Sequence, residues 1–462
     1  MTAAIQEHIN ANMNEFPFQL SINCISPEKQ TISLSCTALL RSIKGRREVY
    51  DAIWNKKNVI AKVFTHKLSG KRHAIREWKG LNALSDRKIN VPAPFFLGKT
   101  ETGDWVVVTE KIIDSATVLE IFNYAHNPEK KLELLLLVCR ELAIQHKAGV
   151  LQKDFHLENF LQANGKVYTL DPGQMQFFSQ EVSKYKSISN LAMLMLYLQD
   201  NDKDSRIILC NEYYKLRNWE YTNQEELLIQ KQIELQGKKG IERGLKKCLR
   251  TSKRFFRIKK DGITSVFDKT FCDETEALDF INQIDELMPE GKILKNGNTC
   301  FVSNLIWNKK NIVIKRYNHK SLIHSLCHSV MNSRARKAWL YAQRLIMLGI
   351  STPKSLAYIE RRRGFILWNS YIVTEYVEGR ILYDVLNDKS ISESHRESIQ
   401  KQVETLLDKT WGLHITHGDL KHSNILITQN GPVLTDLDSM RVHKLNLFYK
   451  LRQAKDVERF NR

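Results

Sequence analysis

The sequence predicts an α+β fold that occurs twice in tandem, and three observations support this prediction. The chain of 462 residues repeats several short strings at a nearly constant offset. Each copy begins with strand-like segments and continues with helical patterns. Each copy then carries the same three polar residues at identical spacings. At roughly 150 residues per domain, this length permits two or three hydrophobic cores.

The repeat is clearest in two strand-like segments that each contain a lysine. Residues 53–58 and 306–311 both read IWNKKN, an offset of 253 residues (306 − 53). The strings NVIAKVFTHK and NIVIKRYNHK continue these segments and place Lys62 opposite Lys315. Each copy therefore presents one lysine from a predicted strand.

Farther along the chain the offset becomes 265 and then stays constant. WVVVTE ends at Glu110 and SYIVTE ends at Glu375 (375 − 110 = 265). The same offset relates three later pairs: Asp154 and Asp419, Asn159 and Asn424, and Asp171 and Asp436. The second part of each copy therefore matches without net insertion or deletion.

The copies define the predicted domains and a basic segment between them. We expect domain 1 over residues 1–235, a basic linker over 236–261 and domain 2 over 262–462. From Gln236 to Lys260 there are eleven Lys and Arg residues and one acid. Two interpretations stay open: a solvated linker helix, or a surface for anionic lipid, where each basic residue contributes ~1 kcal/mol.

The polar residues of copy one follow a predicted helix over residues 130–147. The string GVLQKDFHLENFLQANGKVYTLDPG contains Asp154, then Asn159 five residues later, then Asp171 after twelve more. This spacing is typical of kinase-like phosphotransferases, in which the first Asp accepts the hydroxyl proton of the acceptor. The Asn and the second Asp bind Mg²⁺ in such sites.

Copy two repeats these spacings in ITHGDLKHSNILITQNGPVLTDLDSM. Two short strands should carry the Asn and the second Asp of each copy, joined by a hairpin turn. We expect this turn at Asn164 and Gly165 in copy one, and one residue later, at Asn430 and Gly431, in copy two.

The strand lysine of a kinase-like site needs a carboxylate from the following helix to orient it. Glu77 is the only acid in the segment THKLSGKRHAIREWKGLNAL after Lys62, which predicts a Lys62–Glu77 ion pair. Trp78 and Trp339 each precede a proline by fourteen residues, and this alignment places Ala338 where Glu77 lies. Copy two therefore lacks the expected partner, so it either binds nucleotide differently or is degenerate.

Neither copy contains a complete G-x-G-x-x-G loop. Copy one offers Gly45 beside Arg46, and copy two offers Gly297. Gly45 and Arg46 are our candidates for phosphate contacts, because a basic loop can use side-chain charge as well as backbone N–H groups. An ordinary basic hairpin is the alternative.

These motifs resemble the lipopolysaccharide kinase family, the Kdo and core-heptose kinases of Gram-negative bacteria. The resemblance depends in copy one on KGRREVYDAIWNKKNVIAKVF, RHAIREWKGL, VVVTE and DFHLENFL. In copy two it depends on SRARKAWLYAQRLIMLGISTP, YIVTEYVEG, HGDLKHSNILI and LTDLDSM. The fold it implies is two tandem protein-kinase-like bilobal domains with reduced C-lobes, since only 26 residues follow Asp436 (462 − 436).

The resemblance also implies an activity: phosphorylation by ATP and Mg²⁺ of a heptose or Kdo hydroxyl in the lipopolysaccharide inner core. The acceptor would be a glycolipid at the cytoplasmic face of the inner membrane, to which the protein would bind peripherally. In this assignment Asp154 and Asp419 are catalytic. Nucleotide contacts would come from Lys62, Glu77 and Lys315, and Mg²⁺ ligands from Asn159, Asp171, Asn424 and Asp436.

Composition excludes some other classes of protein. The longest apolar run, Leu191–Leu198, is far shorter than the ~20 residues of a membrane span. The first sixteen residues contain no secretory signal pattern, so we expect a cytoplasmic protein. The eight cysteines show no zinc spacing. The net charge of +19 is compatible with nucleic acid, but no nucleic-acid recognition motif is present, so no such partner is expected. A kinase-fold scaffold or pseudokinase without turnover remains the alternative function.

Overall fold

The computed structural model describes residues 16–43, 45–199, 202–318, 332–364 and 366–462. Its mixture of helices and strands confirms the predicted α+β class. The chain forms two compact units, Met1–Lys238 (unit 1) and Lys239–Arg462 (unit 2). Residues 1–15, in which no secretory signal was found, lie outside the described residues. So does Cys327, one of the eight cysteines without zinc spacing.

Unit 1 begins with six antiparallel strands that close into a barrel in the order β1-β2-β3-β4-β6-β5. Its interior contains apolar side chains that alternate along the strands, as the two-residue period of a strand requires. The barrel strands are β1 (Phe18–Ser26), β2 (Thr31–Ile43), β3 (Arg47–Trp54), β4 (Lys57–Phe64), β5 (Pro94–Thr100) and β6 (Trp105–Glu110). Helix α1 (Gly70–Asp86) connects β4 to β5.

The rest of unit 1 is mostly helical and includes two small sheets, of order β10-β9-β7 and β11-β8. Its strands are β7 (Ala116–Thr117), β8 (Val150–Gln152), β9 (Phe160–Ala163), β10 (Lys166–Thr169) and β11 (Met175–Phe177). Its helices are α2 (Val118–Tyr124), α3 (Pro128–Lys147), α4 (Lys184–Met195), α5 (Lys203–Leu216) and the first part of α6 (Asn223–Lys247).

Helix α3 confirms the helix predicted over residues 130–147. It begins two residues earlier because Asn127 caps it, accepting a hydrogen bond from the backbone N–H of Glu129, and because Pro128 is suited to the first helical position. Its apolar face is buried in the core of the helical part of the unit. This packing fixes the helix directly before the strand that leads to Asp154.

Unit 2 contains a seven-stranded sheet of order β12-β13-β17-β18-β16-β15-β14. Its strands are β12 (Phe255–Lys260), β13 (Ile263–Asp268), β14 (Lys292–Gly297), β15 (Cys300–Trp307), β16 (Lys310–Tyr317), β17 (Ser355–Arg363) and β18 (Ile366–Glu375). Helix α7 (Glu274–Glu290) lies between β13 and β14 in the chain, and α8 (Arg334–Met347) precedes β17.

The second part of unit 2 repeats the order of elements found in unit 1, with small sheets of order β22-β21-β19 and β23-β20. Its strands are β19 (Arg380–Ile381), β20 (Ile415–Thr416), β21 (Ile425–Thr428), β22 (Gly431–Leu434) and β23 (Arg441–Val442). Its helices are α9 (Leu382–Asn387), α10 (Glu393–Gly412) and α11 (Asn446–Phe460).

The segment predicted as a basic linker, 236–261, differs from that expectation in the structure. It contains the end of α6, the boundary between the units and the whole of β12. Phe255 and Phe256 are buried, and Arg254 forms an ion pair with Asp268 at 2.8 Å. A high content of Lys and Arg does not exclude buried residues within a segment. Because the two phenylalanines are buried, the end of this segment belongs to the sheet of unit 2.

The two hairpins that carry the predicted Mg²⁺ ligands turn at equivalent positions. In unit 1, Ala163 pairs with Lys166, which confirms the predicted turn at Asn164 and Gly165. In unit 2, Thr428 pairs with Gly431, so the turn residues are 429 and 430. The prediction of a turn at Asn430 and Gly431 was wrong by one residue, because Gly431 already belongs to β22.

Candidate active site

The strand lysine of unit 1 lies in a cluster of charged groups. Lys62 projects from β4, and its Nζ lies 2.5 Å from Oε1 of Glu77 on α1 and 2.8 Å from Oδ1 of Asp171. Both Lys62 and Glu77 are largely shielded from solvent. Burial alone would lower the pKa of Lys62, but Asp171 and Glu77 outweigh it and raise that pKa. The geometry thus contains the ion pair expected from the sequence.

Asp171 reaches this cluster through an unusual backbone conformation. It has φ 50° and ψ 53°, in the left-handed region, where few residues other than glycine occur. The ammonium group of Lys62, together with the Arg47 guanidinium, lowers the pKa of Asp171 to about 2 against the opposing effect of burial. Asp171 is therefore ionised at neutral pH and able to accept a cation.

Besides Lys62, Arg47 places a basic side chain next to Asp171, and it is a residue that the sequence analysis did not single out. Nη1 of Arg47 lies 3.8 Å from Oδ1 of Asp171, whereas Arg46 is exposed in the turn that contains Gly45. Strand register contains the signal that could have found Arg47. Val49 pairs with Lys62, so both side chains point to one face of the sheet, and Arg47 lies two residues before Val49 on that same face.

The catalytic-loop residues lie beside Asp171. Nδ2 of Asn159 donates a hydrogen bond to the backbone carbonyl of Asp154 at 3.0 Å, which fixes the loop between them. Nε2 of His156 lies 3.3 Å from Oδ1 of Asp154. The structure therefore brings the three predicted residues into one cleft, lined by Gln152, Lys153, Asp154, Asn159, Asp171, Gln174 and Met175.

A buried polar network supports this loop, and sequence reasoning missed its key member, Asn190. Arg217 donates to the hydroxyl of Tyr213, which lies 2.5 Å from Nδ1 of His146. Nε2 of His146 contacts Oδ1 of Asn190 at 3.1 Å, and Nδ2 of Asn190 donates to the carbonyl of Gln152 at 3.0 Å. Burial lowers the pKa of His146 to about 3, so this histidine is neutral and structural.

Gln152 occupies the place of the histidine found in most kinase loops. Its side chain is buried and donates to Oε1 of Gln145 at 2.9 Å. In unit 2 the equivalent His417 contacts the backbone carbonyl of Thr435 at 2.8 Å, directly before Asp436. A glutamine can therefore pack this loop in unit 1, because a second glutamine meets it.

Unit 2 places its corresponding residues in the same relationship. Lys315 on β16 forms an ion pair with Asp436, which has φ 56° and ψ 57°. Nδ2 of Asn424 donates to the carbonyl of Asp419 at 2.8 Å. Burial tends to raise the pKa of Asp436, but Lys315 and other nearby cations give a net lowering. Asp436 is therefore ionised, as Asp171 is.

Lys315 lacks a helix carboxylate, as the alignment predicted, but a second carboxylate reaches it from another element. Nζ of Lys315 lies 3.7 Å from Oδ2 of Asp438, a buried residue that also forms an ion pair with Arg334 at 2.7 Å. Ala338 lies buried on α8, as the alignment predicted. Asp438 is not in the segment after the lysine but in the loop of the string LTDLDSM, far along the chain.

Helix α11 holds the Asp419 loop of unit 2. Asp456 is buried and accepts hydrogen bonds from the backbone N–H groups of His417, at 2.6 Å, and Gly418, at 2.9 Å. The ring of Tyr449 stacks on that of His414, with centroids 4.4 Å apart. Asp456 could not be identified from the sequence, because no periodicity distinguishes a buried aspartate that accepts backbone hydrogen bonds from an aspartate exposed to solvent.

The residues fit a Mg²⁺ ion bound with nucleotide phosphates. In each unit the amide nitrogen of the loop asparagine is engaged by a backbone carbonyl, which leaves its amide oxygen for a cation. Together with one ionised aspartate, this gives oxygen ligands of the type that Mg²⁺ prefers. Within the described ranges, no group of three or more His, Cys, Asp or Glu could hold a metal. The remaining ligands would therefore come from phosphates and water, as is usual for Mg²⁺.

Parts of the chain are similar to known kinases. No curated protein sequence is significantly similar to it. Among solved structures, a rhoptry kinase from Toxoplasma gondii is 11% identical, with coverage of 48% of this chain and 85% of that chain and a TM-score of 0.34. A mutant PknI kinase domain from Mycobacterium tuberculosis is 15% identical, with 36% and 72% coverage and a TM-score of 0.27.

A family model gives the more specific result. Residues 289–462, which contain Lys315, Asp419, Asn424 and Asp436, match the model described as Lipopolysaccharide kinase (Kdo/WaaP) family. This family supports a phosphotransferase activity. The resemblance to the lipopolysaccharide kinase family is therefore confirmed for residues 289–462 of this chain.

Proposed function

We propose that this protein is an ATP-dependent phosphotransferase that phosphorylates a heptose or Kdo hydroxyl of the lipopolysaccharide inner core. The observation that carries the proposal is the cluster in unit 1, where Lys62 contacts both Glu77 and Asp171 next to the Asp154 loop. The family match of unit 2 supports the sugar acceptor. ATP bound with Mg²⁺ would supply the phosphoryl group and neutralise its developing charge.

Each residue of unit 1 has a distinct role in this proposal. Asp154 positions the sugar hydroxyl and accepts its proton. Asn159 and Asp171 would hold Mg²⁺ through their oxygen atoms. Lys62, oriented by Glu77, would contact the nucleotide phosphates, and Arg47 adds positive charge at the same face of the sheet.

We also propose that the two units are tandem kinase-like bilobal domains, which the sequence predicted over 1–235 and 262–462, and that the second also includes β12 before residue 262. Both units have a lysine-bearing sheet, then a helical part with the loop asparagine and an aspartate in the left-handed conformation. The small sheets β10-β9-β7 and β22-β21-β19 occur at equivalent positions. The shared order of elements supports this assignment.

The proposed acceptor requires contact with the inner membrane of a Gram-negative bacterium, and the outer face of α11 supports such contact. No helix among the described ranges is long and apolar enough to span a membrane. On α11 and just before it, four large apolar side chains are 58% to 70% exposed: Leu445, Leu447, Phe448 and Leu451. Residues 441–459 contain six Lys and Arg against two acids. An apolar helix face with basic flanks is typical of a helix that lies on anionic lipid.

Vesicle sedimentation tests the membrane contact. Replacement of Leu447 and Phe448 by Asn should weaken binding to phosphatidylglycerol vesicles by about tenfold or more, because apolar area is lost from the lipid interface. Leu227→Asn, at an exposed leucine in the acidic part of α6, is the matched control. Equal binding by the two variants would contradict this contact.

The alternative function is a kinase-fold scaffold or pseudokinase that binds nucleotide or partners without turnover. Ala338 favours it for unit 2, since the helix glutamate is absent there. ATP-dependent phosphate transfer to purified, deacylated core oligosaccharide separates the two functions. The wild-type chain should transfer phosphate, and Asp154→Asn combined with Asp419→Asn should abolish transfer. Equal transfer by the wild type and this double variant would contradict an enzymatic role.

A further inference from the structure

The sites around Lys62 and Lys315 differ at four equivalent positions. Each position in unit 1 has a counterpart in unit 2 at the local offset of the repeat, which is 253, 261 or 265. In unit 1 the four residues are Phe64, His73, Glu77 and Gly173, and in unit 2 they are Tyr317, Arg334, Ala338 and Asp438.

The carboxylate lies near the lysine in both units but arrives from opposite sides. A Cβ atom on Gly173 would lie 3.4 Å from Oε2 of Glu77, so the loop and the helix face the same small space. In unit 2 the helix position is Ala338, which has no carboxylate, and the second carboxylate near the lysine is that of Asp438 on the loop. The second carboxylate thus comes from the helix in unit 1 and from the loop in unit 2.

The other two positions supply what a buried aspartate requires. The side chain of Asp438 is only 3% exposed, and an unpaired buried carboxylate would be strongly destabilising. Nε and Nη2 of Arg334 both lie within 3.0 Å of its Oδ2. Tyr317 is buried beside this pair, and the guanidinium of Arg334 lies 4.6 Å from the centroid of its ring.

We propose that Asp438 is the positioning residue for Lys315, so that unit 2 is a second site for the phosphates of a nucleoside triphosphate. Arg334, which lies against the ring of Tyr317, holds Asp438, and Asp438 with Asp436 holds the ammonium group of Lys315. This inference rests on the proposed function for the chemistry of the ligand. It extends that function by making the second unit competent to bind nucleotide in the absence of a helix glutamate.

Lysine acylation by an ATP acyl-phosphate probe tests this in the full chain. The probe binds as a nucleotide and transfers its acyl group to the nearby lysine amine, and peptide mass spectrometry reports Lys62 and Lys315 separately. Both lysines of the wild-type chain should react, and excess ATP should protect both. Asp438→Asn should reduce acylation of Lys315 by about tenfold, as expected for loss of a charged contact, and leave Lys62 unchanged. Glu77→Gln should do the reverse.

A relocation variant separates positioning from simple stability. Tyr317→Phe, Arg334→His, Ala338→Glu and Asp438→Gly together give unit 2 the arrangement of unit 1 and should restore acylation of Lys315. Acylation of only Lys62 in the wild-type chain, or normal acylation of Lys315 in the Asp438→Asn variant, would overturn the inference. Acylation of both lysines in a chain that transfers no phosphate would support the inference while contradicting the proposed function.

Discussion

The two units hold equivalent catalytic loops by different chemistry. In unit 1, neutral groups do this: His146 contacts Asn190, which donates to the carbonyl of Gln152. In unit 2, the carboxylate of Asp456 accepts two backbone N–H groups of the loop. The asparagine and the left-handed aspartate are nevertheless placed alike in both units. The backbone geometry of the loop is thus compatible with either a donor or an acceptor beneath it.

The largest expected effect comes from removal of the catalytic carboxylates one at a time. Asp154→Asn should lower phosphate transfer by about 10²- to 10⁴-fold, the usual contribution of a positioned general base. Asp419→Asn should have an effect of that size only on the share of turnover that unit 2 provides. Single-turnover transfer to core oligosaccharide, measured for each variant, shows which unit is active. Unchanged transfer by both single variants, with loss only in the double variant, would indicate two interchangeable sites.

Removal of the carboxylate beneath the loop of unit 2 should be the next largest effect. Asp456→Ala leaves two backbone N–H groups in a buried site without their acceptor, which costs about 3 kcal/mol locally. Hydrogen–deuterium exchange of residues 413–425 should accelerate, while residues 150–160 of unit 1 stay protected. Glu458→Ala, an exposed position on the same helix, is the control. Equal acceleration in the two variants would contradict the anchoring role of Asp456.

Acid should weaken unit 1 through His146. An unfolded chain protonates this histidine near pH 6.5, whereas burial holds its pKa in the folded unit at about 3. The contribution of neutral His146 to the free energy of unfolding of unit 1 is complete above pH 6.5. It decreases as the pH falls toward 3, by about 2 kcal/mol between pH 6.5 and 5. Exchange rates of residues 128–147, corrected for intrinsic pH dependence, measure this loss. In His146→Gln the loss should be smaller, and an identical loss would contradict the assignment.

The smallest effect should distinguish Arg46, in the β2–β3 turn, from its neighbour Arg47, the first residue of β3. Arg47→Gln should raise the KM for ATP by about fivefold, because one charge near the phosphates is worth ~1 kcal/mol. Arg46→Gln, in the exposed turn, should leave KM unchanged. Initial-rate kinetics at fixed acceptor concentration measure both. The reverse order would restore the residue first predicted from the sequence.

The sequence was informative where spacing alone determines geometry. The D-x4-N-x11-D spacing identified Asp154, Asn159 and Asp171, and the structure places them in one cleft. Lys62 and Glu77 could be paired from the sequence because Glu77 is the only acid in the segment THKLSGKRHAIREWKGLNAL that follows the lysine. Periodicity placed helix α3 within two residues of its start.

The remaining features depend on contacts between segments that are distant in the chain. Arg47 becomes visible only when the register of β3 against β4 is known. Asp438 compensates for Ala338 across 100 residues (438 − 338), so a search beside the lysine could not find it. The role of Asp456 depends on the backbone N–H groups of His417 and Gly418, and backbone contacts cannot be inferred from the pattern of side chains in the sequence.

The central claim is phosphate transfer to a lipopolysaccharide core sugar, and mass spectrometry of the core oligosaccharide tests it most directly. Oligosaccharide from cells that express the wild-type chain should carry one phosphate more than oligosaccharide from cells that lack it. Cells that express the chain with Asp154→Asn and Asp419→Asn together should resemble cells without the gene. Identical oligosaccharide masses in all three strains would contradict the claim.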